Sequence, residues 1–236
     1  MGSEMCIRDR YSMIPKGSVK MSSNPVNISI ESPLQYFHKL SSHQIKGQRA
    51  ELFNGDVDFA LVVKEAPACS HLNLRGSAQD QNFVNGISQV LDIALPTEPG
   101  TYNCSQEAAI YWLGPDEWML VSRTEAAELE AALRKVLSGH ISIVDVSGGQ
   151  TLINLRGAED ALQTLLKKSS VYDFAAWSRA SKDSGHCTQT TFAKATAVVS
   201  NKSDGSFDLI VRRSFADYIA LWLLDAGQEF GCRIEG

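Results

Sequence analysis

The chain carries two similar blocks of apolar and polar positions. Leu72-Asn-Leu-Arg-Gly76 alternates in the way that a half-buried strand does, and Ile153-Asn-Leu-Arg-Gly157 repeats the pattern 81 positions later. Apolar residues at helical spacing follow both segments and predict helices over Ala78 to Leu91 and over Ala158 to Lys168. Because similar segments recur at one offset, the pattern indicates an internal duplication.

Each block continues with strand-like segments and a second helix. Strands are predicted around Ile110 to Leu113 and Glu117 to Val121 in the first block, and around Thr190 to Ser200 and Phe207 to Val211 in the second. A second helix and a closing strand complete each block. This order predicts an α+β fold of two duplicated split β-α-β halves, with helices on one face of an antiparallel sheet.

Turns that contain glycine separate several of the apolar runs. Asp145-Val-Ser-Gly-Gly149 lies between runs over Ile141 to Val146 and over Thr151 to Leu155. Since a glycine pair permits the positive φ angles of a tight turn, we predict a hairpin there. A second hairpin is predicted at Asp204-Gly205, between the last two predicted strands.

The second helices of the two blocks differ. Both are predicted to open with a Ser-x-x-acid capping box, Ser122 to Glu125 in the first block and Ser214 to Asp217 in the second. The first helix, over Glu125 to Leu137, has one apolar stripe and needs one packing partner. The second, SFADYIALWLLDAG, is apolar nearly all round. It must be covered on more than one side, either by another subunit or by the N-terminal half of this chain.

The C-terminal helix and the basic pair before it form the candidate functional surface. Arginine anchors many interfaces, so the pair either grips an acidic partner or merely flanks the start of the helix. Aromatic residues on the helix supply apolar area that a second subunit could cover. The predicted subunit interface consists of Arg212, Arg213, Phe215, Tyr218 and Trp222.

The duplication also sets the predicted domain boundaries. Residues 1–20 are predicted to be a leader outside the fold, 21–140 an N-terminal α+β half, and 141–236 a C-terminal α+β half. The leader lacks the apolar run of a secretory signal. Its opening stretch, MGSEMCIRDR, resembles sequence appended by cloning or read-through, with a transit peptide as the alternative.

Composition narrows the classes of partner. The chain has 236 residues, 22 basic against 27 acidic, and a net charge of -5, which argues against nucleic acid as a principal partner. No apolar run approaches the roughly 18 to 20 residues that cross a bilayer, so we expect no membrane insertion. Five scattered cysteines suit neither a disulfide framework nor a zinc site, so a soluble, cytoplasmic protein with reduced thiols is expected.

The sequence holds no strong catalytic or phosphate-binding motif. Neither G-x-G-x-x-G nor the P-loop pattern occurs, and Ser147 lies in a predicted turn rather than in a nucleophile elbow. His186-Cys187 is the only adjacent His/Cys pair, and a catalytic role for it is the weaker interpretation. Arg75 and Arg156 occupy equivalent strand ends, where they either bind a carboxylate or form ion pairs. We therefore predict no catalytic, cofactor-binding or metal-binding residue on this chain.

Several longer strings together resemble the gamma subunit of heterotetrameric sarcosine oxidase. The resemblance covers nearly everything from about residue 31 onward, and its most specific pieces are LGPDEWML and RSFADY. The strings run in order through Leu72-Asn-Leu-Arg-Gly76, Leu95-Pro96, YWLGPDEWMLV from Tyr111, VDVSGGQTLINLRG from Val144, CTQTTFAKATAVV from Cys187 and RRSFADYIALWL from Arg212.

This resemblance implies a fold similar to the folate-binding domain of the glycine-cleavage aminomethyltransferase. In the family, the complex oxidises sarcosine to glycine with oxygen and tetrahydrofolate, and it produces hydrogen peroxide and methylenetetrahydrofolate. The resemblance implies alpha, beta and delta subunits as partners, with FAD, FMN, NAD and tetrahydrofolate bound by those partner subunits. The gamma subunit itself is then a non-catalytic assembly subunit.

Two alternatives remain open from the sequence. One is a stand-alone folate-binding protein that shares the fold, although the K-G-C-Y-x-G-Q-E signature of the iron-sulfur maintenance protein is missing; Gly185-His-Cys187 is the nearest segment. The other is the gamma subunit of a related oxidase that acts on a different N-methylated amine. Substrate contacts in such a complex would lie on a catalytic chain, so this sequence does not separate the two oxidases.

Overall fold

Five helices and eleven strands form the parts of the chain that the computed structural model describes, residues 31–40 and 59–235. The predicted leader, residues 1–20, lies outside these ranges, and so do Asp56 and Asp58, whose two-residue spacing predicts that their carboxylates share one face of a strand. The helices are α1 (Gln35–Leu40), α2 (Gln81–Leu91), α3 (Ala126–Val136), α4 (Glu159–Ser169) and α5 (Ala216–Ala226). The strands are β1 (Leu61–Glu65), β2 (Ser70–Arg75), β3 (Thr101–Cys104), β4 (Ala108–Gly114), β5 (Glu117–Ser122), β6 (Ser142–Asp145), β7 (Gln150–Gly157), β8 (Ser184–Phe192), β9 (Ala195–Asn201), β10 (Phe207–Arg212) and β11 (Cys232–Glu235).

The strand order shows the duplication directly. The first half of the sheet runs β3-β4-β5-β2-β6, and the second runs β8-β9-β10-β7-β1-β11. The two orders are the same except for β1, and an antiparallel pairing of β3 with β8 joins the halves. The predicted α+β class with two duplicated halves is therefore confirmed. Strand β1, which precedes the first half in sequence, lies in the sheet of the second half, antiparallel to β7 and parallel to β11.

Three core clusters explain how the halves are layered. Helices α2 and α3 cover one face of the first half, and α4 and α5 cover one face of the second. Alternate residues of each strand point to the opposite face of the sheet. On that face, side chains of the two halves pack against each other in the third cluster. Tyr102 and Tyr111 stack in this inner cluster with ring centroids 5.2 Å apart, and the Tyr102 hydroxyl donates to the Asn201 carbonyl oxygen at 2.7 Å. This buried hydrogen bond adds to the β3–β8 pairing that joins the two halves.

One predicted hairpin forms and the other does not. The turn at Asp204-Gly205 joins β9 to β10, and Gly205 adopts a φ of 87°. By contrast, β6 pairs with β2 while β7 pairs with β1 and β10, so the segment Asp145 to Gly149 is no hairpin. Ser147–Gly149 form a short 3-10 turn through which the chain passes from one half of the sheet to the other. The hairpin prediction was wrong because glycines permit a crossover as readily as a reversal.

The segment predicted as one strand over Thr190 to Ser200 is instead two strands. Strands β8 and β9 pair antiparallel around a tight turn, with Phe192 opposite Ala195. Ala193 takes a φ of 54° in this turn, a region that residues other than glycine occupy rarely. Because no glycine, asparagine or aspartate marks the reversal, the sequence pattern gave no sign of it.

Both predicted capping boxes are absent. The N-cap positions of α3 and α5 are Glu125 and Phe215, and neither side chain makes a capping hydrogen bond. Ser122 is the last residue of β5, and its hydroxyl accepts from the Thr124 backbone N–H at 3.1 Å. Ser214 lies within a 3-10 turn that leads into α5. Ser122 therefore lies three residues before the N-cap position of α3, and Ser214 one residue before that of α5.

Candidate functional site

A cavity of about 510 Å³ opens beside the inner faces of the two halves, and we call it the inter-sheet cavity. Both halves contribute walls, and three lining residues, Met119, Val198 and Ile210, also belong to the inner core cluster. It is a concave site with apolar walls and a few polar groups, which is the general character of a binding site. Its lining is Asn73, Leu113, Glu117, Met119, Val146, Gln150, Gln189, Lys194, Ala195, Thr196, Ala197, Val198, Ile210, Arg212 and Phe215.

The five residues of the predicted interface do not lie together at this cavity. Arg212 and Phe215 line it, and the Phe215 ring is 43% exposed. Arg213 is half-buried and does not line the cavity. Tyr218 and Trp222 are half-buried and pack against the core of the second half. Within the described chain, the predicted surface is therefore divided between a cavity rim and an internal packing face.

Helix α5 is covered mainly by its own half. Its fully buried residues join a core cluster that includes residues of α4, β7, β10 and β11, and the Trp222 indole N–H donates to the Ser169 hydroxyl at 3.0 Å. Leu61 and Val63 of β1 belong to the same cluster, so part of the cover comes from the N-terminal span. Leu221 is 57% exposed and is the main apolar side chain that the helix leaves uncovered.

Two basic residues give the inter-sheet cavity its charge. Arg212 ends β10 and Lys194 precedes β9, and both line the cavity. The acid in the lining, Glu117, accepts from the Asn73 amide at 2.8 Å and from Arg75 at 2.7 Å, so its charge is already paired. The cavity therefore presents a net positive site for an acidic group.

Lys194 is the cavity residue that the sequence did not reveal. The prediction of one strand over Thr190 to Ser200 places Lys194 within that strand. In the structure Lys194 is exposed in the tight turn between β8 and β9, where it lines the cavity. The β8–β9 turn contains none of the residues typical of tight turns, so the sequence did not predict the turn or the position of Lys194.

The His186-Cys187 pair does not form a nucleophile and base. Successive residues of a strand point to opposite faces, and the two side chains separate accordingly. His186 Nε2 lies 2.9 Å from the Ser178 hydroxyl, and its ring stacks on Trp177. The Cys187 thiol donates to the Thr101 carbonyl oxygen at 3.1 Å, and burial raises the pKa of this thiol to about 12. A thiol with so high a pKa stays protonated at neutral pH.

A second group of polar side chains surrounds His71, which the sequence did not single out. Cys69 Sγ lies 3.9 Å from His71 Nε2, and the Ser147 hydroxyl donates to Asp145 at 2.5 Å. Burial raises the pKa of the Cys69 thiol and lowers the pKa of His71. Ser147 contacts the His71 backbone rather than its ring, accepting from the backbone N–H at 2.9 Å. This arrangement fixes a turn and activates neither the serine nor the cysteine.

The two arginines at equivalent strand ends have different surroundings. Arg75 pairs with Glu117 at 2.7 Å. Arg156 donates to the Asn154 side-chain oxygen at 2.6 Å and lines a separate cavity of about 480 Å³ near the β9–β10 turn. In that cavity Lys202 is held 3.2 Å from Asp208, so its charge is partly neutralised. The lining of this second cavity has three basic residues, Arg156, Arg179 and Lys202, and two acidic residues, Glu159 and Asp204, so its formal net charge equals that of the inter-sheet cavity.

The described ranges contain neither a metal-binding cluster nor a membrane-spanning helix. Residues 31–40 and 59–235 contain no group of three or more His, Cys, Asp or Glu side chains that could hold a metal ion. In those same ranges, no helix is long and apolar enough to span a membrane.

We expect the Cys187 thiol to resist alkylation in the folded protein. At about pH 8, a pKa near 12 leaves a thiolate fraction roughly a thousandfold below that of the same thiol at its ordinary pKa of 9.0. Mass spectrometry after iodoacetamide treatment should find Cys187 unmodified in native protein and modified once urea unfolds the chain. Equal rates of modification in the two states would contradict the burial that the structure shows.

Comparisons with known proteins identify a family. A family model described as the sarcosine oxidase, gamma subunit family matches residues 75–229. The chain is 30% identical over 178 residues to sarcosine oxidase subunit gamma of Corynebacterium sp. (strain P-1), covering 75% of this chain and 84% of the relative. It is also 30% identical over 179 residues to the subunit of the same name from Corynebacterium sp. (strain U-96), covering 72% of this chain and 81% of that relative.

Solved structures show the same fold. A chain of the heterotetrameric sarcosine oxidase from Corynebacterium sp. U-96 in complex with pyrrole 2-carboxylate matches with a TM-score of 0.68 at 21% identity, over 85% of this chain and 96% of that one. Glycine cleavage system aminomethyltransferase T from Bartonella henselae matches with a TM-score of 0.59 at 13% identity, over 86% of this chain and 58% of that one. The expected likeness to the aminomethyltransferase fold is confirmed.

Proposed function

Because this chain belongs to the sarcosine oxidase gamma subunit family, we propose that it is the non-catalytic assembly subunit of a heterotetrameric sarcosine oxidase. The complex oxidatively demethylates sarcosine to glycine with oxygen and tetrahydrofolate, and it yields hydrogen peroxide and methylenetetrahydrofolate. In this proposal the chain packs against the alpha and beta subunits and shares the complex with a delta subunit. The observation that carries the proposal is the family match over residues 75–229.

The chemistry of the described side chains supports a role outside the reaction. The thiols of the half-buried Cys69 and the buried Cys187 have raised pKa values, so neither supplies a thiolate at neutral pH. His71 is buried with a lowered pKa and bonds to the Cys69 carbonyl oxygen at 3.1 Å. His186 is stacked on Trp177 and bonded to Ser178. These groups stabilise local structure rather than forming a reactive set.

The cofactors of the complex are proposed to reside on the partner subunits. FAD, FMN, NAD and tetrahydrofolate all need sites for phosphates, carboxylates or aromatic ring systems, and the sequence has neither the dinucleotide motif nor the P-loop. The chain therefore contributes surface and shape to the assembly, while the redox and folate chemistry takes place on its partners.

Co-expression tests this proposal directly. The genes for the alpha, beta and delta subunits would be expressed with and without this chain, and the flavin content, subunit stoichiometry and sarcosine turnover of the purified complexes would be measured. We expect loss of stable assembly and a large fall in turnover when the chain is missing. If the other subunits assemble, keep both flavins and turn over sarcosine equally well without it, the proposal fails.

The same purified complex separates the remaining alternatives. Turnover of dimethylglycine in place of sarcosine would identify a related N-methyl amine oxidase with the same assembly subunit. Titration of the isolated chain with tetrahydrofolate would test for a stand-alone folate-binding protein. We expect no binding at micromolar concentrations, because a subunit that serves only assembly has no need for a folate pocket.

A further inference from the structure

The inter-sheet cavity combines uncompensated positive charge with apolar walls. Neither Arg212 nor Lys194 lies within ion-pair distance of a carboxylate of the described residues. The acid in the lining, Glu117, is already bound by Arg75 and Asn73. Lys194 and Arg212 are both exposed, so an acidic group that approaches the opening can reach them, and two like charges at one concave site attract such a group more strongly than one cation alone.

The strand arrangement keeps these two cations close to the same point. Strands β9 and β10 are antiparallel, with Ala197 opposite Val211. The start of β9 and the end of β10 therefore lie side by side. Arg212 is the last residue of β10, and Lys194 lies in the turn immediately before β9, so both cations are at the same end of this strand pair.

An exposed aromatic ring borders the same opening. Phe215 follows Arg212 by three residues, lines the cavity and is 43% exposed. Aromatic residues and arginine are both enriched in protein interfaces relative to the rest of the surface. The cavity of about 510 Å³ has room for a few protein side chains, with Met119 and Ile210 supplying an apolar wall.

We propose that the inter-sheet cavity receives an acidic segment of a partner subunit. A carboxylate of that segment pairs with Arg212 and Lys194, and an adjacent apolar side chain packs against Phe215 and the cavity wall. Arginine can hold a carboxylate with two parallel hydrogen bonds, which fixes orientation as well as adding affinity. This inference rests on the proposed assembly function and adds to it the site and the chemistry of one partner contact.

The duplication supplies a matched control for the test. Arg123 stands in the first half 89 positions before Arg212, at the equivalent place after the last central strand. It is exposed and does not line the inter-sheet cavity. Arg123→Glu therefore makes the same change of charge as Arg212→Glu at a corresponding position of the fold, without altering the proposed contact.

The experiment uses the co-expressed complex with an affinity tag on a flavin-bearing subunit. Wild type, Arg212→Glu, Lys194→Glu and Arg123→Glu would be compared by the fraction of this chain retained during washes of rising NaCl concentration. We expect Arg212→Glu and Lys194→Glu to weaken retention by about tenfold or more, and Arg123→Glu to behave as wild type. Arg212→Lys should retain the chain better than Arg212→Glu, because it keeps the charge but loses the bidentate geometry.

The retention results separate the proposed contact from the proposed assembly function. If both cavity variants are retained as well as wild type at every salt concentration, the inference is overturned while the assembly function stands. Binding of a small-molecule carboxylate in the cavity would give this same result, with assembly unchanged. If the wild-type chain itself is not retained at low salt, the proposed function fails. Equal thermal unfolding midpoints for the Arg212→Glu and Arg123→Glu chains would establish that weakened retention is not a folding defect.

Discussion

Replacing Trp118 with alanine is expected to lower the free energy of unfolding by about 3–5 kcal/mol, which is the usual cost of deleting a large buried aromatic side chain. The indole is fully buried in the core of the first half, with its ring centroid 5.5 Å from that of Phe83. Its N–H donates to the Pro96 carbonyl oxygen at 2.8 Å. The substitution therefore removes apolar contacts and the donor to that carbonyl at once.

Trp112 provides the matched control. It lies directly opposite Trp118 on the neighbouring strand but is only half-buried. We expect Trp112→Ala to lower the free energy of unfolding clearly less than Trp118→Ala does. Trp118→Phe should lower it by about 1–2 kcal/mol, because this change removes the hydrogen-bond donor while retaining most of the ring. Urea unfolding of the full chain, followed by far-ultraviolet circular dichroism, measures all three. Equal costs for the two tryptophan-to-alanine changes would contradict the packing described for Trp118.

The second large effect is expected at Gly157, where alanine should destabilise the second half by about 3 kcal/mol. A Cβ atom at this position would lie 2.1 Å from the Ala60 carbonyl oxygen. That carbonyl cannot withdraw freely, because it accepts from the Ala158 backbone N–H at 3.1 Å. Gly157 is also paired with Leu61, so the clash would separate β1 from β7.

Gly148→Ala is the control for this substitution. Gly148 has no positive φ, and no atom lies within 4 Å of the position that its Cβ would take. Its replacement should change stability by no more than about 0.5 kcal/mol. Thermal unfolding of both variants, with hydrogen exchange of the β1 amides as a local probe, makes the comparison. Unchanged protection of β1 in Gly157→Ala would show that the close approach at Ala60 is relieved without cost.

The duplicated pattern made the elements of the two halves predictable from sequence. Helices α2 and α4 begin within three residues of their predicted starts, and Glu130 pairs with Arg134 at 2.7 Å as the helical spacing predicts. Both glycines of the repeated Arg-Gly segments lie close to another group. A Cβ on Gly76 would lie 2.6 Å from the Phe83 ring, and one on Gly157 would lie 2.1 Å from the Ala60 carbonyl oxygen. The helices and the ion pair follow from local patterns, whereas the approach of Gly157 to Ala60 depends on the pairing of β1 with β7.

The features that sequence missed depend on contacts between distant segments. The glycines near Ser147 mark a crossover, and only the pairing of β6 with β2 distinguishes this from a hairpin. The apolar character of α5 and its N-cap did not reveal which side chains face solvent, since Trp222 is packed internally while Phe215, the N-cap residue, is exposed. The candidate cavity required both halves in place, so neither its walls nor the role of Lys194 was visible in the linear pattern.

The position of β1 has a consequence for how the protein forms during synthesis. Leu61 pairs with Cys232, a residue about 170 positions later, and such distant pairings slow folding. At typical rates of translation, about 5–20 residues per second, roughly 10–30 seconds pass between the synthesis of these two partners. All strands of the first half, from β2 to β6, are complete well within that interval. The second half closes last, and until then the nascent chain exposes the edge of β1 to any chaperone or partner that is present.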